Sequence, residues 1–434
     1  MGRLRSLIML CIMLILIFSG CYDIREIDDV AHVLAIGVDR GVSDKWRLTL
    51  QFASLNENSG NGQQEGDGSS GGGAASESGG GQDGYTYVTV DAPSFFTGID
   101  MLNSSVPRRL VFTHASLIVL SEELSKDDIV GDYIAPIIRF REVRRTAHMV
   151  VTKGSALDYI RANQPFIGTT LAKALQTAAT ESTNTGYFLH TTLSDFYNQL
   201  KSTCGQPVVT MAAVNEFRHF KEKGSKWGNE FNTGGQYLAG QLPRQGQNKI
   251  EYWGTALFDQ GKMVDELNGQ ETRTLAIIRG EFERGFFTLQ DPKEPKFVIP
   301  LDVRPAGRPK VKISFNGDTP TIDLTIHLKG DILAVQSRLH YEQDPLLSLL
   351  ENTFKKNIKS EVDQLINRCK NLNLDVFKFG DVAARKFWTI DEWEKYNWNK
   401  HFKDTKVNTQ VEFVIRSTGT QMKSSPIPGT EEED

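Results

Sequence analysis

Hydrophobic and polar residues alternate along several stretches of the chain, and this two-residue period predicts half-buried β-strands. The stretches are residues 46–52, 85–90, 311–315, 322–328 and 411–415. The first two flank a long glycine-rich segment, so we expect an antiparallel pair with an expanded connecting loop. The next two flank Asn316-Gly317, which supports the positive φ angles of a tight hairpin turn.

Elsewhere hydrophobic residues recur every three or four positions, which predicts amphipathic helices. The longest covers residues 345–371, with Pro345 suited to a first helical turn. Another covers residues 125–141, where Pro136 should kink the helix or start a shorter one. We predict short helices over residues 156–162, 171–181 and 193–200, and further strands over residues 113–120, 146–151, 250–258 and 275–279.

Hairpins dominate these predictions and regular β-α-β alternation is missing, so we expect an α+β fold. Its sheets should be mostly antiparallel with packed helices, and the length suggests two or three domains. The expected division is a signal peptide (1–20), an N-terminal α+β region (21–195), a connecting region (196–250), a C-terminal α+β domain with the long amphipathic helix (251–417) and an acidic disordered tail (418–434).

Residues 56–84 contain eleven glycines, no aromatic residue and no Lys or Arg. Such a composition cannot bury enough apolar surface to fold, so we expect a disordered insertion. Residues 66–71 match the dinucleotide-binding GxGxxG pattern, and residues 68–72 match the GxSxG nucleophile elbow. Both motifs require a preceding strand and a following helix. We therefore interpret both as chance matches in a glycine-rich segment.

The N-terminus has the pattern of an export signal. Arg3 and Arg5 precede an unbroken apolar run over residues 7–18. As a helix this run is about 18 Å long, short of the roughly 30 Å of a bilayer core. Phe18-Ser19-Gly20-Cys21 then resembles a bacterial lipobox. We expect Cys21 to carry diacylglycerol on its thiol and an acyl chain such as palmitate on its amino group, and the alternative is a signal peptide with a chance cysteine.

The charge balance argues against nucleic acid as a partner. The chain has 49 basic and 54 acidic residues among 434, a net charge of −5. Removing residues 1–20 removes two arginines, so the mature chain carries 47 − 54 = −7. Nucleic-acid binding usually requires a basic face. The 39% of hydrophobic residues also excludes collagen-like, wholly disordered and multi-pass membrane chains.

The sequence offers no catalytic, cofactor or metal constellation, so we expect a protein that is not an enzyme. No zinc HExxH motif occurs, and Gly261-Lys262 precedes Met263 instead of the Ser or Thr of a P-loop. The eight histidines are dispersed. His114 and His148 lie in or beside predicted strands, and we interpret both as ordinary half-buried residues, with a ligand role as the alternative.

The densest basic cluster consists of Arg139, Arg141, Arg144 and Arg145. We favour a solvated helix end near the negative pole of the helix dipole, and contact with a partner or with anionic lipid is the alternative. We interpret Trp388, Trp393 and Trp398 as core anchors, with a ligand-stacking site as the alternative. Cys204 and Cys369 either form a disulfide or remain buried free thiols.

Several segments together resemble the Ger(x)C family of spore-germination lipoproteins. The segments are residues 21–27 (CYDIREI), 33–39 (VLAIGVD), 109–114 (RLVFTH), 254–258 (GTALF) and 375–380 (DVFKFG), followed by Trp393, Trp398 and Phe402. Tyr22 replaces the usual Trp, and Lys378-Phe379 separates Phe377 from Gly380. The resemblance covers about residues 21–417, with residues 56–84 as an insertion.

This resemblance implies the C subunit of a nutrient germinant receptor in a sporulating Gram-positive bacterium. Such a subunit would sit on the outer face of the inner spore membrane with an A subunit and a multi-pass B subunit. It implies a three-domain α+β fold without catalytic residues, and only Cys21 carries a function. Whether this subunit contacts the nutrient stays open.

Two other classes of protein fit the predicted elements less well. A solute-binding lipoprotein of an importer would show two lobes rich in β-α-β units, which the predicted hairpins disfavour. An envelope hydrolase would require a carboxylate or nucleophile constellation that the chain does not offer.

Overall fold

The computed structural model describes residues 29–53, 85–127, 130–164, 170–223, 231–317 and 319–418. Cys21, the signal peptide, the glycine-rich segment and the acidic tail lie outside these residues. Among the described residues, no helix is long and apolar enough to cross a bilayer. The described chain forms two β-sheets with packed helices, and its strand pairs are mostly antiparallel, which confirms the α+β prediction.

The described strands of the first sheet are β1 (Val30–Arg40), β2 (Trp46–Ala53), β3 (Tyr85–Ala92), β4 (Arg109–Val111), β5 (Leu117–Ser121), β6 (His148–Lys153), β7 (Val208–Val214), β8 (Ile250–Asp259) and β9 (Lys262–Leu267). Their order is β3-β2-β1-β5-β6-β7-β8-β9, with β4 beside the start of β1. Strands β8 and β9, which follow residue 249, thus complete this sheet. The domain boundaries expected from the sequence stay a prediction.

The centre of the first sheet is parallel, which the sequence analysis did not predict. Strands β1, β5, β6 and β7 run in the same direction. Ile118 and Leu120 enter a core on one face, and Leu117 and Val119 enter a core on the other. A strand covered on both faces is apolar throughout and loses its alternation. The sequences of the parallel strands therefore contain no hairpin pattern from which the order of the strands could be predicted.

The described α-helices are α1 (Phe95–Ser105), α2 (Glu122–Ser125), α3 (Val130–Arg139), α4 (Ala156–Ala162), α5 (Leu171–Thr185), α6 (Leu193–Leu200), α7 (Gly269–Arg279), α8 (Leu346–Asn371), α9 (Phe379–Ala383), α10 (Ile390–Tyr396) and α11 (Trp398–His401). Helices α1, α3 and α6 cover one face of the first sheet, and α4 and α5 cover the other. The helices predicted at residues 156, 171, 193 and 345 are confirmed to within a few residues. Pro136 lies inside α3, which continues to Arg139.

The second sheet contains β10 (Gly285–Gln290), β11 (Val298–Pro305), β12 (Lys310–Asn316), β13 (Thr319–Ile332) and β14 (Lys406–Ser417). The predicted hairpin at Asn316-Gly317 is confirmed, and Gly317 has a φ of 62°. The predicted last strand, β14, pairs parallel to β13. Helix α8 packs on this sheet, where Phe354 and Phe413 lie 4.1 Å apart between ring centroids.

The strand predicted at residues 275–279 is wrong, because these residues belong to α7. Asn268 and Glu271 form a capping box that begins the helix. Leu275 to Ile278 are all buried, since α7 lies between β8 and α8. A short run that is apolar on every side has no helical period, so its pattern cannot be distinguished from that of a buried strand.

Candidate functional site

The chain enters the first sheet at the amino-terminal edge of the parallel strands. The first described strand begins at Val30, and Val30 pairs with Arg109 of β4. Cys21, the predicted acylation site, precedes this point by nine residues and lies outside the described residues. Its acylation therefore stays a prediction.

The loop that carries the predicted arginine cluster lies at the same edge. Phe140, at the end of α3, packs against Phe112 and Phe96 with ring centroids 5.3 and 5.6 Å away. The Glu142 carboxylate accepts a hydrogen bond of 3.1 Å from the Phe112 backbone N–H. Because Phe112 directly follows β4, these contacts hold the loop beside Arg109.

We call Arg109, Arg139, Arg141, Arg144 and Arg145 the arginine surface. All five side chains are exposed, and none of them forms an ion pair with another described residue. Arg139 does end α3, as a solvated helix end would, whereas Arg144 and Arg145 lie in the loop beyond it. The structure thus adds Arg109, which is 30 residues away from Arg139 in sequence, to the predicted cluster.

Four histidines form two pairs at this edge, and the sequence analysis missed the pairing. The rings of His32 and His114 meet edge to face at 4.7 Å, and His148 Nδ1 lies 2.6 Å from His190 Nε2. Burial, and then His190, lowers the pKa of His148 to about 4. Burial, His32 and Arg144 lower the pKa of His114. His148 is therefore neutral at pH 7. The predicted half-buried position holds for His148, whereas His114 is exposed.

The opposite edge of the sheet holds an open crevice of about 720 Å³. It lies at the carboxyl ends of β1, β5 and β6, the usual place for ligands in parallel sheets. The buried Asp39 carboxylate accepts hydrogen bonds from Ala156 N–H (2.8 Å) and Leu157 N–H (3.1 Å), and burial raises its pKa. In the crevice wall Arg47 pairs with Asp91 at 2.7 Å. Asp39 and Asp91 thus both accept hydrogen bonds from groups within the protein, and we interpret both carboxylates as structural.

A smaller cavity of about 120 Å³ lies between α7, α8 and β10. The Arg273 guanidinium is buried between the rings of Tyr187 and Phe287, 3.8 and 4.6 Å from their centroids. It donates to the carbonyls of Thr185 and Phe286. Across the cavity, burial raises the pKa of Glu361, which accepts a hydrogen bond from Gln270. This arrangement joins the two sheets.

Asp375 explains the turn at residues 375–380. Its buried carboxylate accepts hydrogen bonds from the backbone N–H groups of Phe377, Phe379 and Gly380 and from Trp398 Nε1, at 2.7–3.2 Å. Burial raises its pKa to about 6. A Cβ atom at position 380 would collide with the Cys204 carbonyl, so only glycine fits. This motif is therefore structural.

The three tryptophans predicted as core anchors differ in how deeply they are buried. Trp393 and Trp398 are buried core anchors as predicted, whereas Trp388 is 96% exposed and that interpretation is wrong. Phe387, packed against Phe315 and Trp393, takes the core position instead.

Cys204 and Cys369 are free thiols. Among the described residues, no three His, Cys, Asp or Glu side chains form a group that could hold a metal ion.

Comparison with known families gives the class of this protein. The model of the spore germination protein N-terminal domain matches residues 23–214. The model described as spore germination B3/GerAC like, C-terminal, matches residues 253–419. Together these two matches cover most of the chain, in the order that the family shows. The chain belongs to the Ger(x)C family of spore germination proteins, as its sequence motifs predicted.

Two relatives are similar along nearly their whole length. Spore germination protein KC of Bacillus subtilis (strain 168) is 24% identical, with 98% of each chain covered. Spore germination protein B3 of the same organism is 20% identical, with 94% of this chain and 96% of that protein covered. The crystal structure of the GerBC protein aligns with 88% of this chain and 96% of its own, at 16% identity and a TM-score of 0.48.

Proposed function

We propose that this protein is the lipid-anchored C subunit of a nutrient germinant receptor, required for spores to germinate in response to nutrients. The observation that carries the proposal is the match of both spore-germination domain models along one chain. The lipobox at Cys21 supports an anchor on the extracytoplasmic face of the inner spore membrane.

The proposed role is assembly with the integral-membrane A and B subunits, without catalysis. Two of the charged side chains that line the crevice support this role, because Asp39 and Arg47 are bonded to groups within the protein. A general acid or base would need to reach a substrate proton with such a group.

The experiment is nutrient-triggered germination of spores that carry Cys21→Ala. We expect the release of spore contents to fall toward the level of a gene deletion, while dormant spores form normally and the protein leaves the membrane fraction. Cys204→Ala is the matched control, because it removes a half-buried thiol that no lipid should modify.

Unchanged germination, with abundant partner subunits, would contradict the anchored role. The gene deletion then separates the two remaining explanations. A deletion that germinates normally refutes the receptor function itself, and one that fails to germinate limits the error to the anchor.

A further inference from the structure

We propose that the arginine surface rests on anionic lipid headgroups, and that it sets the orientation of the protein on the membrane. The inference deepens the proposed function, because it rests on the anchor at Cys21. Eight peptide units separate Cys21 from Asp29, the first described residue. Even fully extended, such a segment spans at most about 28 Å. The edge at which β1 begins therefore stays near the bilayer that holds Cys21.

Charge favours contact between this face and an anionic membrane. The mature chain carries −7, so an anionic membrane repels the molecule as a whole. The arginine surface presents five exposed guanidinium groups without an ion-pair partner among the described residues. The one carboxylate within the loop, Glu142, already accepts a hydrogen bond from Phe112 N–H. A rigid guanidinium fork matches the oxygens of a phosphate group.

An apolar side chain beside the arginines fits a lipid surface. Phe96 is 46% exposed and touches Phe140, which precedes the arginine loop. An exposed aromatic ring on the same edge as long cationic side chains suits the boundary between headgroups and acyl chains. A basic patch beside an acylated residue also supplies a second membrane signal, which makes lipid anchoring more stable.

The test uses the full acylated protein, reconstituted into vesicles of phosphatidylcholine alone or of phosphatidylcholine with phosphatidylglycerol. Phenylglyoxal labels accessible arginines, and peptide mass spectrometry gives the rate at each site. We expect labelling of the arginine surface to slow about fivefold in the anionic vesicles, equivalent to about 1 kcal/mol per arginine. High salt should restore the rate, because it screens exposed charges.

Two exposed arginines serve as internal controls. Arg218 lies beyond the end of β7, at the opposite edge of the same sheet, and Arg385 lies in the C-terminal region. Their labelling should be equal in the two kinds of vesicle. Equal labelling of the arginine surface in both vesicles would overturn the proposal.

A pair of matched variants locates the effect. Arg144→Glu with Arg145→Glu should remove the protection of Arg109, Arg139 and Arg141 in anionic vesicles. Arg218→Glu with Lys221→Glu reverses two exposed charges at the opposite edge and should leave that protection intact. Circular dichroism confirms that both variants fold.

Two further outcomes are decisive. The acidic residues Asp23, Glu26 and Asp28 precede the described chain. Ion pairs between these carboxylates and the arginine surface are the competing interaction. Slow labelling in both vesicles and in detergent would reveal those ion pairs and overturn the lipid contact. The mass of the N-terminal peptide tests acylation separately, so a failure of the arginine surface can be distinguished from a failure of the anchor.

Discussion

At the residue scale, the histidine pairs at the edge of the first sheet carry a cost at low pH. His148 and His190 are joined by a nitrogen–nitrogen distance of 2.6 Å, so one ring nitrogen must accept from the other. A neutral pair satisfies this contact, whereas two protonated rings would repel each other. Burial of His148, and then the nearby His190, lowers its pKa and favours the same neutral form.

The first prediction concerns stability between pH 6.5 and about 4. Burial, and then His190, lowers the pKa of His148 from its ordinary value of 6.5 to about 4 in the folded protein, so the unfolded chain binds more protons in this window. The stabilisation is therefore complete above pH 6.5 and is lost as the pH falls toward 4. We expect His148→Gln to unfold in urea with a shallower pH dependence there. His219→Gln, at an exposed histidine, is the control, and equal slopes in the two variants would contradict the expectation.

At the scale of elements, the hairpin formed by β2 and β3 shows how the sheet tolerates the glycine-rich segment. Ala53 pairs with Tyr85, and the register continues unbroken to Trp46 and Ala92. The two strand ends are therefore adjacent, although 31 residues lie between them in sequence. A short connection can close this hairpin as well as a long one can.

Deleting residues 58–82 should leave both fold and germination intact. Six residues then remain between Ala53 and Tyr85, and the shorter loop costs about 1.5 kcal/mol less to close. We expect the free energy of unfolding to stay the same or to rise by that amount, as measured in urea. Replacing the same residues with a Gly-Ser segment of equal length is the control. A stably folded deletion that fails to germinate would show that the segment has a role of its own.

At the scale of the whole molecule, α7 connects the two sheets. Thr272 bonds to Thr255 of β8 at 3.1 Å, and Gln270 donates to Glu361 of α8 at 2.6 Å. Leu257 and Leu267, from the first sheet, belong to the same core cluster as Phe354 of α8. Burial of this shared surface couples the stability of the two parts.

We therefore expect the described parts to unfold in one transition. Far-UV circular dichroism and tryptophan fluorescence should give the same urea midpoint, since Trp46 lies in the first sheet and Trp398 packs beside the second. Trp46→Phe and Trp398→Phe variants assign the fluorescence signal to each part. Two separate midpoints would show that the link through α7 is weak.

Much of the local structure could be predicted from the sequence, because local periods report local exposure. The Asn316-Gly317 hairpin and the helix at residues 345–371 each have one buried face, so their periods are clear. The order of the family motifs likewise identified the family. The lipobox that ends at Cys21 is a linear motif, so it can be recognised without knowledge of the fold. The acylation of Cys21 stays a prediction.

Only the tertiary structure decided which distant segments meet. The parallel strands at the centre of the first sheet and helix α7 are buried on all sides, so their sequences show no contrast between a solvent-exposed face and a buried face. Val30 meets Arg109, and His148 meets His190, through contacts between segments 79 and 42 residues apart. No local pattern encodes such a contact, because it results from the packing of the strands between them. The sequence by itself supplied the arginines, and folding placed them beside the start of β1.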